Sequence, residues 1–313
     1  MNNSVIIYAE ELSKKWIDRL AEAGIKVIGI HPTGGKEAVT SLTNLLEQLK
    51  TPEYRELIDY AHSKGLQVEY EIHACGYLLK RELFDTHPEY FRAGKDGKRI
   101  NDYNLCASNA EAVGLVAKNA AKLAKQLYGS NNNFYFWLDD GKELSCNCPL
   151  CSKLSASEQQ LLVLNEMIKE IKKENKDARL AYLAYVDSIV PPKKVIPQKG
   201  IFLEYAPFAK YTEKGEDAKE LIEHEKEMIM PLMQVFNKEP KKVLEYWYDN
   251  SLFSYWKKPP KKFVLKEETM REDIAEYKNF GFDAISTFAC FLGKEYEELH
   301  GKVDITPFAK AVR

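Results

Sequence analysis

Two adjacent acids, Asp139 and Asp140, end a strongly apolar, aromatic run, Phe134-Tyr135-Phe136-Trp137-Leu138, and Gly141 follows them. Like charges this close do not both ionise cheaply in a partly dry pocket, so one pKa should rise and that carboxyl can hold a proton near neutral pH. Such a donor beside a carboxylate can protonate a leaving oxygen while the second charge steadies the cation left behind. Asp140 is the expected donor. The ordinary alternative is an Asp-Asp-Gly turn with solvated side chains.

Residues 67–73 alternate Val68, Tyr70 and Ile72 with Glu69, Glu71 and His73. In a strand the first set faces a helix layer, and the second faces an interior where acids are costly unless paired, hydrated or near an opening. Glu71 and His73 are the candidates for that opening. Glu204 in Phe202-Leu203-Glu204-Tyr205 and Glu245 in Leu244-Glu245-Tyr246-Trp247 fall near the ends of two further strands. Acids from separate strands would then converge, with Asp139, Glu204 or Glu245 as the second negative charge. Each Glu alone is readily read as the partner of a Lys, Arg or Tyr.

Aromatic residues make up 12% of the chain and gather at Tyr205 and Phe208, at Tyr246, Trp247 and Tyr248, and at Tyr255 and Trp256. Flat rings suit the apolar faces of sugars, and their polar tips bond hydroxyls. An ordinary aromatic core looks the same. The expected substrate-binding set is His31, Glu71, His73, Arg99, Tyr205, Tyr246, Trp247 and Asp249.

Cys146, Cys148 and Cys151 resemble a metal knuckle, and Cys106 is the best fourth ligand for a zinc tetrahedron. Four thiolates would close the coordination shell and leave no position for a reacting water, so the expected metal is a structural zinc bracing the pocket wall. A disulfide from Cys106 to one of the three, or free thiols, are the other readings. No cofactor is expected for catalysis.

The elements that must position these residues are eight apolar runs, at 5–9, 26–31, 67–73, 134–140, 179–187, 201–205, 243–249 and 284–288. Helix-period segments lie between them, at 11–23, 52–64, 110–127, 157–173, 217–234, 267–279 and 294–299, with Gly24, Gly65 and Gly281 as left-handed stops. Eight strand-then-helix units predict one (β/α)8 TIM barrel over residues 1–313. No glycine-rich phosphate loop follows the first strand, which disfavours a doubly wound sheet. Long segments at 74–108, 141–156 and 250–266 follow the third, fourth and seventh strands, on the rim that carries active sites in this architecture.

The composition fits a globular chain: 45% hydrophobic, 29% charged, with 45 basic against 47 acidic residues. A net charge of -2 offers no excess positive field, so nucleic acid is not an expected partner. No run approaches the ~20 apolar residues of a membrane helix. The expected location is the cytoplasm for the chain as written, and outside the cell if a leader has been removed.

Taken in order, His87-Pro88-Glu89-Tyr90-Phe91, Asp96-Gly97-Lys98-Arg99, Asn104-Leu105-Cys106, Asp139-Asp140-Gly141 and Cys146-x-Cys148-x-x-Cys151 resemble the bacterial family called domain of unknown function 4838. The resemblance spans roughly the third to fifth units and implies a barrel similar to TIM-barrel glycoside hydrolases. The Asp pair also resembles the one ending the fourth strand of family 84 β-N-acetylglucosaminidases. That likeness implies that Asp139 orients a substrate acetamide as internal nucleophile and Asp140 is general acid/base. The expected function is a glycoside hydrolase acting on an N-acetylhexosamine- or uronic-acid-containing glycan, with Arg99 clamping a uronate carboxylate. A carbohydrate-binding barrel without turnover and a metal-dependent hydrolase are the alternatives.

Overall fold

Each of the eight apolar runs yields a strand in a computed structural model that describes residues 1–102, 104–212 and 216–313. They are β1 (Asn2–Tyr8), β2 (Val27–His31), β3 (Gln67–His73), β4 (Asn133–Trp137), β5 (Arg179–Ala184), β6 (Ile201–Tyr205), β7 (Lys241–Glu245) and β8 (Ala284–Phe288). All neighbours pair in parallel and β1 also pairs with β8, closing a barrel in sequence order. This is the expected (β/α)8 architecture. β4, β5 and β7 end earlier than expected, so Asp139, Asp140, Asp187 and Asp249 belong to rim loops rather than to strands.

Helices cover the outside. Ser13 caps the helix Lys14–Ala23 by accepting from Trp16 N, and Gly24 ends it at φ 83°. The expected helix at 217–234 is two, Glu216–Glu227 and Ile229–Val235. Pro231 explains the break, because it lacks the N–H that would bond residue 227 and its ring crowds that carbonyl. A helix at Ala38–Gln48, in a stretch rich in Thr, Ser and Val, was not expected.

Two cores result. Strand residues of one parity pack outward with the helices, while Ile6, Tyr135, Trp137, Phe202, Leu244 and Phe288 fill the barrel. β4 and β5 pair only at Asn133↔Arg179 and Phe134↔Leu180, so their upper halves splay. Gln160 occupies part of that gap, donating to Leu183 O at 2.9 Å. The splay opens a side cleft beside the mouth. Among the described residues, no helix is long and apolar enough to cross a membrane.

Candidate active site

The carboxyl ends of the strands surround a cavity of about 350 Å³. Tyr8 ends β1, His31 β2, His73 β3, Trp137 β4 and Phe288 β8, and all line it together with Leu183, Tyr185, Phe208, Tyr246 and Trp256. His31 packs among aromatic rings, with centroids 5.9 Å from Tyr8, 5.8 Å from Trp137 and 5.2 Å from Phe288. Burial, aided by His73, lowers its pKa to about 3, so it is a neutral ring at any ordinary pH.

Among the described residues, two carboxylates reach this cavity, Asp140 after β4 and Asp249 after β7. Asp140 is exposed and takes a hydrogen bond from Tyr185, whose pKa is raised by burial and then by Asp140. Asp249 is buried, and its Oδ1 accepts from Ser251 N (3.1 Å), Ser251 Oγ (2.5 Å) and Leu252 N (3.3 Å). Tyr8 extends the chain by donating to Ser251 Oγ at 3.2 Å. Burial raises Asp249 to about 6 against the three donors.

Asp139 differs from the expectation in cause and in place. It shares with Asp140 the narrow side cleft, of about 70 Å³, but does not line the mouth. Its pKa rises to about 6 chiefly because the carboxyl is buried; Asp140 is not among the largest causes. Oδ1 has no hydrogen-bond partner among the described residues, and a Cβ on Gly76 would stand 3.3 Å from Oδ2. The backbone N–H donates to Asn104 Oδ1 at 3.1 Å, joining the rim loops after β3 and β4.

The expected convergence of glutamates is corrected. Glu204 and Glu71 point into the barrel, but beneath the mouth, where they meet a buried lysine the sequence reading overlooked. Lys242 Nζ lies 2.8 Å from Glu71, 3.2 Å from Glu204 and 3.5 Å from Glu69, and 4.1 Å above the Tyr135 ring. Trp137 Nε1 donates to Glu204 Oε2 at 2.8 Å, so one indole roofs the ion cluster and floors the mouth. A Cβ on Gly29 would stand 3.1 Å from Glu71 Oε1, and glycine there makes room for the carboxylate. Burial is the largest influence on all three charges. It raises Glu71 to about 8 and raises Glu204, while for Lys242 it is outweighed by the surrounding acids, which hold the ammonium charged.

Glu245 faces the helix layer, not the mouth. It accepts from Lys210 Nζ and Tyr211 OH, both at 2.6 Å, and from Tyr277 OH. Strand parity requires this, since Lys242, Leu244 and Tyr246 take the inward positions. Trp247 and Tyr205 are outward for the same reason: Trp247 donates to Asp273 at 2.9 Å, and Tyr205 packs near Tyr277. Arg99 stands at the cysteines, donating to Phe91 O at 2.7 Å with Cys146 Sγ 3.8 Å away, so the uronate clamp loses the residue it rested on. Of the expected substrate-binding set, His31, His73, Tyr246 and Asp249 line the mouth. Tyr8, Tyr185 and Phe288 were missed, although the alternation through Ile6 to Tyr8 marks an inward residue at a strand end.

Cys106, Cys146, Cys148 and Cys151 come together with no disulfide, their sulfurs all within 4.8 Å of one another. Cys106 Sγ lies 3.6 Å from Cys148 Sγ and 3.9 Å from Cys151 Sγ. A zinc tetrahedron with ~2.3 Å bonds needs sulfurs ~3.8 Å apart, so the donor set fits. Ala93 N donates to Cys146 Sγ at 3.2 Å and Cys151 N to Cys148 Sγ at 3.5 Å, the backbone support that thiolates require.

Residues 40–289 match the family model described as Domain of unknown function (DUF4838). No curated protein matches the sequence. Among solved structures, the chain is similar to the β-galactosidase of the psychrophilic Marinomonas ef1, at 12% identity and TM-score 0.55, over 92% of this chain and 54% of that one. It thus spans about half of that enzyme's length. A glycoside hydrolase family 5 enzyme from Prevotella bryantii is similar over 96% of this chain and 85% of its own, at 11% identity and TM-score 0.52. The tandem GH20 catalytic modules of the pneumococcal exo-β-D-N-acetylglucosaminidase give 13% identity and TM-score 0.52, over 99% and 83%. At such identities the likeness is one of fold.

Proposed function

The chain belongs to the family described as domain of unknown function 4838, and we propose that it is a glycoside hydrolase working in the mouth of its barrel. The observation that carries the reading is one aromatic-lined cavity holding two carboxyls from opposite sides of the barrel, Asp140 after β4 and Asp249 after β7. Asp140 is the proton donor. It is exposed, so it can regain its proton from solvent after each turnover, and Tyr185 orients it. Asp249 supplies the negative charge opposite, as nucleophile or as stabiliser of the oxocarbenium centre, with Oδ1 held rigid by three donors. This pair replaces Glu204 and Glu245, whose charges are already met by Lys242 and Lys210.

Asp249 must be ionised for that role and titrates at about 6, so the acidic limb of kcat/KM should rise with pH through about 6. A panel of aryl glycosides tests the reading, with neutral hexosides, N-acetylhexosaminides and uronides assayed across that range. Turnover of at least one member with this acidic limb is the expected result. Sugar binding without hydrolysis at any pH would make the barrel a binding module instead.

The four cysteines hold a structural zinc in this reading. The ion would supply no chemistry at the mouth, because four thiolates fill its shell; it ties the loop after β3 to the loop after β4.

A further inference from the structure

The histidines of the mouth are fixed in one orientation by groups that can only accept. His31 Nδ1 lies 2.6 Å from Glu71 O, and His73 Nδ1 lies 2.9 Å from Leu138 O. A carbonyl has no proton to give, so each Nδ1 carries the hydrogen, and the buried, neutral His31 ring keeps a lone pair on Nε2. His73 Nε2 stands 3.3 Å from where a Cβ on Gly34 would be, and Gly34 lines the cavity. A side chain at that position would cover the nitrogen.

No Lys or Arg lines the mouth among the described residues. Three basic groups of the barrel and rim are engaged elsewhere: Lys242 with Glu71 and Glu204 below the floor, Lys210 with Glu245 and Asp273 in the helix layer, and Arg99 with Phe91 O. The cavity therefore presents His31 and Asp249 as acceptors, set among aromatic rings. A sugar hydroxyl can donate to each of these. An anionic substituent would meet the Asp249 carboxylate and, among the described residues, no Lys or Arg, in a site too aromatic to screen the charges.

We infer that the mouth takes a neutral pyranoside, with a hydroxyl donating to His31, and rejects sugars bearing a carboxylate or sulfate. The inference deepens the glycosidase reading and rests on it for the kind of ligand, but not for turnover. Burial of His31, which keeps that ring uncharged, supports the same assignment.

Matched pairs that differ only at C6 test it at neutral pH: glucose with glucuronate, galactose with galacturonate and mannose with mannuronate, as free sugars for binding by titration and as p-nitrophenyl glycosides for turnover. The neutral member of at least one pair should bind, and should exceed its uronate by about 100-fold or more, the scale of like-charge repulsion across such a pocket. His31→Leu should weaken the neutral sugar about tenfold or more, and His31→Gln, which keeps an acceptor, should recover much of the loss. If the leucine variant does not fold, the ratio within each pair on the unmodified protein still decides. Equal or tighter binding of the uronates, or no binding by any sugar, overturns the inference. A neutral preference in binding without hydrolysis sustains it while the hydrolase reading falls.

Discussion

Asp139 is a carboxylate held where water scarcely reaches, and the structure offers its Oδ1 no hydrogen-bond partner among the described residues. A pKa raised from 3.8 to about 6 corresponds to roughly 3 kcal/mol at ~1.36 kcal/mol per unit. The sign follows from linkage: the folded state keeps the proton longer than the unfolded chain. The cost is therefore absent below about pH 4, grows as pH rises, and is complete above about 6. Asp139→Asn should leave thermal stability unchanged near pH 4 and raise it above about pH 6, by up to roughly 3 kcal/mol. Melting curves across that range check this, and a variant less stable at high pH would mean that the Gly76 N–H, His73 and Arg81 outweigh burial for the charged form. The two adjacent acids were legible in sequence as a place where one pKa rises. Which acid it would be was not, because burial of one side chain, rather than repulsion between the two, sets the difference.

At the scale of the strand, alternation fixes which face a side chain takes but not what it meets there. Glu71 and Glu204 were correctly read as inward, yet their partner Lys242 lies 171 and 38 residues away in sequence, and only barrel closure joins them. Lys242→Met should destabilise the protein by about 3–5 kcal/mol, since it strands buried acids without their counter-charge. Adding Glu71→Gln should restore part of that loss, measured by chemical denaturation. Glu245 and Trp247 were misplaced because a run of aromatics beyond a strand end hides its parity. The rim segment after β7 has its own signature. Tyr255 and Trp256 are largely exposed and both sit at positive φ, 56° and 52°, a conformation that disfavours bulky residues. Trp256 lines the mouth, as a stacking platform for a sugar would. Trp256→Ala should raise KM several-fold and leave kcat nearly unchanged, and a fall in kcat alone would count against a platform.

Over the whole molecule, eight strand-then-helix units spelled out the barrel, and long segments after the third, fourth and seventh strands follow the strand ends that surround the mouth. The site itself was only half legible, because it is assembled across the closed sheet from Tyr8, His31, Trp137, Asp140 and Asp249. The cysteines act at this scale too, joining the two loops that carry Asn104 and the Asp139-Asp140 pair. Metal analysis should find about one zinc per chain, and a strong chelator or Cys106→Ser should lower the melting temperature. Unchanged stability in the metal-free protein would remove that brace. The central claim is that Asp140 and Asp249 act together on one substrate. It is tested most directly by the hydrolysis rates of Asp140→Asn and Asp249→Asn on the best aryl glycoside, with sugar binding measured alongside. The account predicts that each loses about 10³-fold or more in kcat while still binding sugar. Near-unmodified turnover in either variant, with its fold intact, would contradict it.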